Sequence, residues 1–392
     1  MGSLTRLSFS PAEYRRRWET VQEVMAAQGI SALVLSNLSN ICYLSGFQTI
    51  GSYGYGVYAL IVPLRGEPVL FASDFESHNA DIFSPLSEIV RYRVQDQVTS
   101  SPIERLAQLM KERSWDVGRI GCETEHFGLT GQQFHVLRTR LTGAQWVDAA
   151  VVVESIKLVK SVEEIAVVKR AAELTTSGML EGMQAAREGA SDNDIAAAAY
   201  AKIVSDGGEY FSLQPVITSG RRSGIPHSTF RRERLKRGDV LFMEVSAAFE
   251  RYSAPALRAV SIGQPSEEVC RAFEACKASV TTTMANLRSG ASTREAARRA
   301  GKALRAIAPD LVWHGYYGYS VGLAFPPMGN DCMVLGDITE ETDYELRAGM
   351  VFHINTSLRK IGEFGVTMGD TVLVTETGCE TLTRLPQELS MR

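Results

Sequence analysis

Short apolar runs alternate with longer segments of helical periodicity in the first part of the chain. The segment 11–29 carries apolar residues at helical spacing after a Ser-Pro start signal and ends at Gly29, which predicts a helix. The later elements predicted on the same grounds are strands over 30–36, 58–63, 68–72, 118–122 and 145–148, and a helix near 103–113. The alternation indicates an α/β sheet covered by helices.

From residue 155 onward the pattern changes to long charged-apolar helices and long strands. The segment 155–187 predicts one long helix, within which Ser161 and Glu164 have the spacing of a capping box. The remaining predicted elements are helices over 191–206, 266–286 and 292–306, and strands over 213–219, 239–246, 256–262, 350–356 and 370–375. Long antiparallel strands with two helix pairs on one face indicate an α+β domain. We therefore predict two domains, 1–154 and 155–392.

The composition agrees with two compact domains and excludes some partners. The 392 residues are 45% hydrophobic and 22% charged, which suits a chain with a large buried core. The net charge of -4 provides no overall positive field, so we expect no nucleic-acid partner. The basic cluster in residues 231–237 is interpreted as a solvated turn.

The cysteines and the first residues indicate the compartment. The six cysteines show no paired spacing of the kind found in metal or disulfide motifs, so we expect reduced thiols. Residues 1–18 lack the apolar run of a signal peptide, and no stretch approaches the ~18 apolar residues of a membrane span. The prediction is a cytoplasmic protein with no membrane partner.

Several motifs, in order along the chain, resemble the creatinase and aminopeptidase P group of hydrolases, whose catalytic domain has the pita-bread fold. These motifs are Asn37-Leu-Ser-Asn-Ile-Cys-Tyr-Leu-Ser-Gly46 and the segments 155–165, 219–227, 236–240, 318–323, 349–352 and 370–376. The resemblance covers nearly the whole chain. It implies an α/β N-terminal creatinase-like domain followed by an α+β pita-bread C-terminal domain.

By this resemblance, the metallopeptidases of the group hold two metal ions on two aspartates, one histidine and two glutamates. In this sequence the five positions carry Glu244, Pro255, Tyr319, Asn355 and Gly369. Only one of them has a carboxylate, whereas a divalent ion needs several anionic or imidazole donors. We therefore predict no catalytic metal and no other cofactor, although a one-residue slip would bring Asp370 into the set.

The metal-free members of the group include creatinase, ectoine hydrolase and a non-catalytic domain of a histone chaperone subunit. His227 matches a histidine of creatinase, but the creatinase glutamates correspond here to Leu257 and Asn355, so creatine is a poor candidate. The segments 243–252, 318–327 and 352–353 are similar to ectoine hydrolase, although residues 328–331 depart from it. The resemblance implies hydrolysis of a C–N bond in an ectoine-like cyclic amidine or in a guanidino or amide compound.

The remaining polar residues suggest how such a bond is opened. Glu244 lies in an otherwise apolar strand, where desolvation raises the pKa of a carboxyl group, and it is the candidate nucleophile or general base. His227 and His353 are the candidate acids for the leaving nitrogen. The candidate substrate-binding residues are Tyr252, Arg258, His314, Tyr319, Asn355, Tyr53 and Tyr55.

Tyr53 and Tyr55 lie in a Gly-rich loop that, by the resemblance, reaches over the active site of a second protomer. The resemblance therefore implies a homodimer. Two other interpretations stay open at this point. One is a catalytically inactive pita-bread module that binds a peptide, and the other is a residual Xaa-Pro-type metallopeptidase that takes its ligands from outside the family positions.

Overall fold

A computed structural model describes residues 6–51, 56–98, 101–124, 128–326 and 329–392. The chain divides into two compact units, residues 1–157 and 158–392, and this division lies three residues after the predicted boundary. In the described part of the chain, no helix is both long and apolar enough to cross a membrane.

The first unit contains a six-stranded mixed sheet with the strand order β4-β3-β2-β1-β5-β6. Its helices are α1 (Pro11–Gln28), α2 (Leu38–Ser45), α3 (His78–Phe83), α4 (Ser101–Glu112), α5 (Gly131–Arg140) and α6 (Ala150–Lys157). Its strands are β1 (Ala32–Leu35), β2 (Ala59–Pro63), β3 (Val69–Ser73), β4 (Ile89–Tyr92), β5 (Gly118–Cys122) and β6 (Ala144–Asp148). Strands β2 and β3, both predicted, pair in antiparallel orientation. The predicted α/β class of this unit is confirmed.

The first helix shows how the local sequence specifies this unit. The side chain of Ser10 accepts a hydrogen bond from the backbone N–H of Glu13, and Pro11 occupies the first helical position, where its missing N–H costs nothing. Gly29 ends the helix in the left-handed conformation, with φ of 67°. The predicted boundaries of this helix therefore agree with the structure to within one residue.

The second unit is built on a nine-stranded sheet covered by four long helices. The helices are α7 (Val162–Ala185), α8 (Asp192–Ser205), α9 (Glu267–Ala285) and α10 (Thr293–Ile307). The strands are β7 (Val216–Ser219), β8 (Val240–Val245), β9 (Ala248–Phe249), β10 (Tyr252–Ser253), β11 (Ala256–Ser261), β12 (Tyr316–Ser320), β13 (Ile338–Thr339), β14 (Val351–Lys360), β15 (Phe364–Val374), β16 (Cys379–Thr381) and β17 (Ser390–Met391). The main path of the sheet runs β13-β12-β14-β15-β11-β8-β7, and β16 and β17 pair with β15 and β11. Strands β9 and β10 form a separate two-stranded sheet.

Alternation along the strands divides this sheet into a helix-covered face and an opposite face, which carries Glu244. Leu241 and Met243 of β8 pack in the core with residues of α7 and α8, while Ile354 and Leu358 of β14 pack with α9 and α10. Successive residues of a strand point to opposite faces, so Glu244 of β8 lies on the face away from the helices. Both helix pairs thus cover one face, which confirms the predicted α+β architecture.

The prediction of one long helix over 155–187 is wrong. Helix α6 ends at Lys157, and α7 begins at Val162 after an extended residue, Ser161, with ψ of 169°. Ser161 and Glu164 form the predicted capping box, and the box starts a new helix because the N-cap residue itself cannot be helical.

Two strands are much longer than predicted. β14 continues from 356 to Lys360, and β15 begins at Phe364 rather than 370. The two strands pair over ten registered positions, from Val351 opposite Leu373 to Lys360 opposite Phe364. This extension carries Ser357 and Arg359 into the sheet.

Candidate active site

A cavity of about 380 Å3 lies in the second unit, on the face of the sheet opposite the helices. This volume lies in the range of small-molecule sites. Its lining combines apolar and aromatic side chains with a few ionisable ones. The lining residues are Val216, Pro226, His227, Glu244, Leu257, Val312, Trp313, His314, Tyr316, Tyr319, Asn355, Ser357 and Arg359. Five of the sequence-predicted site residues are among them: Glu244, His227, His314, Tyr319 and Asn355.

The registers of five strands place the base of the cavity in one row across the sheet. The row consists of Val216, Glu244, Leu257, Gly369 and Asn355. Glu244 is therefore flanked on β7 and β11 by two apolar residues. Three of the five positions that correspond to metal ligands in the related metallopeptidases, 244, 355 and 369, lie in this row.

The Glu244 carboxyl group has no partner in the part of the chain that the structure describes. No described residue donates a hydrogen bond to it or forms an ion pair with it. Burial raises its pKa to about 7, and the positive charge of Arg359 acts in the opposite direction. A carboxyl group with this pKa exists in both protonation states near neutral pH, as a general base requires.

His227 lines the cavity from the loop that follows Pro226. Its side chain is exposed, and its backbone has φ of 50°, a left-handed conformation that residues other than glycine adopt rarely. Such conformations occur in turns and also cluster at functional sites. The loop thus presents an accessible imidazole to the same cavity as Glu244.

His314 and its neighbours form an aromatic wall. The ring of Trp313 lies 6.1 Å from that of His314 and 4.6 Å from that of Tyr317, measured between centroids. The Nδ1 atom of His314 accepts a hydrogen bond from the backbone N–H of Tyr316 at 3.1 Å. The neutral ring therefore carries its proton on Nε2. Desolvation, followed by the positive charges of Arg359 and His227, lowers the pKa of His314.

His353 is the predicted catalytic residue that the structure does not bring to the cavity wall. Its side chain is completely buried, and its ring makes an edge-on contact with Tyr319 at 5.3 Å between centroids. Burial and the nearby Arg258 charge lower its pKa to about 3. A neutral, enclosed imidazole is poorly suited to protonate a leaving group, so its predicted role as the acid is corrected to support of Tyr319.

Tyr319 separates His353 from the cavity. It pairs with His353 across β12 and β14, and it lines the cavity together with Asn355. Burial, and then the negative charge of Glu244, raise the pKa of Tyr319 well above its ordinary value. The hydroxyl group therefore keeps its proton and can donate a hydrogen bond into the cavity.

Arg258 and Tyr252 lie outside the cavity lining. The Nη2 atom of Arg258 forms hydrogen bonds of 2.9 and 3.1 Å with the two carboxylate oxygens of Asp370, and Nε donates to the carbonyl of Pro386 at 2.7 Å. The Tyr252 hydroxyl donates to Glu164 Oε1 at 2.9 Å. Both side chains are fully buried, so this geometry does not offer the substrate contacts predicted for them. Tyr53 and Tyr55 lie outside the described residues.

Sequence reasoning missed Arg359. Its side chain is only 8% exposed, lines the cavity, and stacks its guanidinium carbon 4.9 Å above the centre of the Phe242 ring. The signal that could have found it is the alternation of β14, because Asn355, Ser357 and Arg359 occupy every second position. The predicted strand ends at 356, whereas β14 continues to Lys360.

The comparisons with known proteins assign the family. Residues 166–376 match Metallopeptidase family M24, and residues 17–159 match the Creatinase/Prolidase N-terminal domain. The chain belongs to metallopeptidase family M24. Both predicted domain types and the resemblance to the creatinase and aminopeptidase P group are thereby confirmed.

Relatives within family M24 have different activities. Ectoine hydrolase of Halomonas elongata is 25% identical over 98% of this chain and 99% of its own length. Xaa-Pro dipeptidase of Pyrococcus furiosus is 22% identical over 96% of this chain and 99% of its own length. The crystal structure of the prolidase from Pyrococcus horikoshii OT3 has a TM-score of 0.82, at 19% identity over 95% of this chain and 99% of that chain, which shows a shared fold. The chain is thus a member of a hydrolase family.

The cavity does not fit the metal ions that the M24 family name implies. Asn355 supplies only an amide, and Gly369 supplies no side chain. Asp370, the alternative donor, points to the helix-covered face and binds Arg258. Over the described ranges, no three His, Cys, Asp or Glu side chains are arranged to hold a metal ion.

The space that a fifth ligand would need at Gly369 is filled. A Cβ atom at this position would lie 2.8 Å from the Asn355 Cβ and 3.0 Å from the His353 Cε1. These distances are shorter than ordinary van der Waals contacts, and both neighbours belong to β14. The M24 ligand position at 369 is therefore closed by packing as well as changed in sequence.

We predict that Gly369→Ala lowers the free energy of unfolding by about 1–3 kcal/mol, because overpacking forces side chains and backbone to move. Gly378→Ala is the matched control in the same unit, since a Cβ atom there meets nothing within 4 Å. Urea denaturation of the full chain compares the two variants. Equal midpoints for both would contradict the close packing around Gly369.

Proposed function

We propose that this chain hydrolyses a C–N bond in a small nitrogenous zwitterion without a metal ion, with Glu244 as nucleophile or general base. The observation that carries the proposal is the state of Glu244, an unpartnered carboxyl group at the base of a largely apolar cavity. Burying a carboxylate without a partner is costly, so a bound cation would stabilise it. An amidinium or guanidinium group is such a cation.

The chemical step follows from the position of this carboxylate. As a general base, Glu244 takes a proton from water while the water oxygen forms a bond to the central carbon of the amidinium. The C–N bond then breaks, the carbon keeps its oxygen as a carbonyl, and the leaving nitrogen takes a proton to depart as an amine. As a nucleophile, the carboxylate forms that bond itself and water releases the product afterwards.

His227 is the proposed proton donor to the leaving nitrogen. It is the cavity-lining imidazole that is exposed and held in a strained backbone conformation. His314, with its proton fixed on Nε2, is proposed to hydrogen-bond the substrate. The Tyr319 hydroxyl and the Asn355 amide supply further donors for charge that develops in the transition state.

The substrate class proposed is an ectoine-like cyclic amidine, or a guanidino or amide compound. The similarity to ectoine hydrolase supports this class. The similarity to Xaa-Pro dipeptidase favours a peptide instead, but the metal positions of this chain offer too few donors for that chemistry. Hydrolysis assays with both compound classes separate the two.

We predict that Glu244→Gln lowers kcat at least a hundredfold while the fold and substrate binding persist. Glutamine keeps the size of the side chain but can neither attack carbon nor accept a proton from water, and general-base catalysis contributes about 10²–10⁴ in rate. Steady-state kinetics with the best substrate and circular dichroism of the variant test this. A kcat within tenfold of wild type would show that Glu244 does not carry the chemistry, and His227 would be the next residue to test.

We predict a pH dependence set by Glu244. The reactive form is the carboxylate, so on its acidic side kcat/KM should rise about tenfold per pH unit up to about pH 7, following the raised pKa of about 7 in the free protein. A bound cation favours the charged carboxylate, so the profile of kcat should bend at a lower pH than that of kcat/KM. Identical bends in the two profiles would argue against a cation beside Glu244.

We predict that activity survives exhaustive chelation. Full-length protein treated with EDTA and 1,10-phenanthroline, and then dialysed, should retain its kcat, and elemental analysis should find far less than one equivalent of Mn, Co or Zn. Loss of activity with recovery on adding Mn²⁺ would instead favour a residual metallopeptidase.

A further inference from the structure

Two buried arginines in the second unit have opposite environments. Arg258 is 1% exposed and donates to both oxygens of Asp370 and to the carbonyls of Leu257, Gly369 and Pro386. Arg359 is 8% exposed, yet no described residue accepts a hydrogen bond from its guanidinium group or forms an ion pair with it. Its Nε atom is buried and without a partner.

An unpaired buried guanidinium destabilises the protein. Removing a cation from water costs free energy, and only paired charges and hydrogen bonds recover it. Stacking on Phe242 provides a cation–π contact that offsets part of this cost. Burial lowers the pKa of Arg359, and the negative charge of Glu244 raises it without reversing the effect. An arginine that served the fold alone would be expected to have partners like those of Arg258.

Arg359 also lies in the same cavity as Glu244. Its guanidinium stacks on Phe242, which precedes Glu244 by two residues on the same face of β8. The cavity therefore holds a positive guanidinium group and an ionisable carboxyl group on the same face of the sheet, with no ion pair between them.

We propose that Arg359 binds the carboxylate of the substrate and thereby places its cationic nitrogen group against Glu244. The inference rests on the proposed function of the cavity and adds the residue that selects for a carboxylate. A guanidinium group presents two parallel N–H donors that match a carboxylate, which fixes both position and orientation. The substrate would supply at once the missing partner of Arg359 and the missing partner of Glu244.

The test measures binding of matched compounds by titration calorimetry to the full-length protein. One pair is 2-methyl-1,4,5,6-tetrahydropyrimidine-4-carboxylate and the same ring without its carboxylate; the other is guanidinoacetate and methylguanidine. Wild type should bind the carboxylated member of at least one pair tighter by about tenfold to a hundredfold, as expected for hydrogen bonds to a charged group. Arg359→Met should abolish this preference, and Arg359→Lys should keep only part of it.

Thermal unfolding of the same variants distinguishes a binding role from a structural one. Arg359→Met should leave the melting temperature unchanged or raise it, because it removes a buried charge without a partner. Arg258→Met is the matched control and should lower the melting temperature strongly, since it leaves Asp370 buried and unpaired. A large loss for Arg359→Met with the carboxylate preference retained would overturn the inference.

The remaining outcomes separate this inference from the proposed function. If wild type binds or hydrolyses the compounds without preferring the carboxylated members, the role of Arg359 is wrong while C–N hydrolysis at Glu244 stands. An equal preference in wild type and in Arg359→Met likewise overturns the role of Arg359 alone. If wild type binds none of the four compounds, both the substrate class and the role of Arg359 are overturned.

Discussion

The ion pair of Arg258 and Asp370 fixes the centre of the second unit. It joins β11 to β15, and the same guanidinium group reaches the carbonyls of Leu385 and Pro386 near the end of the chain. Because successive strand residues face opposite ways, a carboxylate of residue 370 on the helix-covered face puts Gly369 on the cavity face. The ion pair thus matches the register that brings Gly369 between Leu257 and Asn355 at the base of the cavity.

The cavity differs from this ion pair, because the charges of Glu244 and Arg359 have no partner among the described residues. Glu244 lies between two apolar neighbours, and Arg359 has only an aromatic ring beneath it. Both unpaired charges lower the stability of the folded protein. Both also suit a binding site, because a ligand can supply the missing opposite charges. The helix-covered face of the sheet stabilises the fold, whereas the cavity face holds the groups that destabilise it.

Much of this organisation could be predicted from the sequence, and the failures have physical reasons. Glu244, His227 and Tyr319 were found because they stand in motifs of the family, and the structure brings them to one cavity. His353 lies on the same face of β14 as Asn355, but Tyr319 on the neighbouring strand β12 covers it. Such packing between strands cannot be inferred from the sequence. Arg359 was missed because Arg, Lys and Gly interrupt the apolar pattern of residues 357–365, although the β14 and β15 hairpin continues through them. The long strands are held there by pairing rather than by intrinsic propensity.

The changes at the former metal positions support one another physically. With glycine at 369, the His353 ring and the Asn355 side chain have room to pack against β15. With His353 packed there, Tyr319 lies over its ring and presents a hydroxyl group that the negative charge of Glu244 helps to keep protonated. Restoring a glutamate at 369 alone would collide with both β14 side chains, so a metal site cannot return by one substitution. A single carboxyl group remains in this row, and without a metal ion beside it, its charge can be balanced by a cationic substrate.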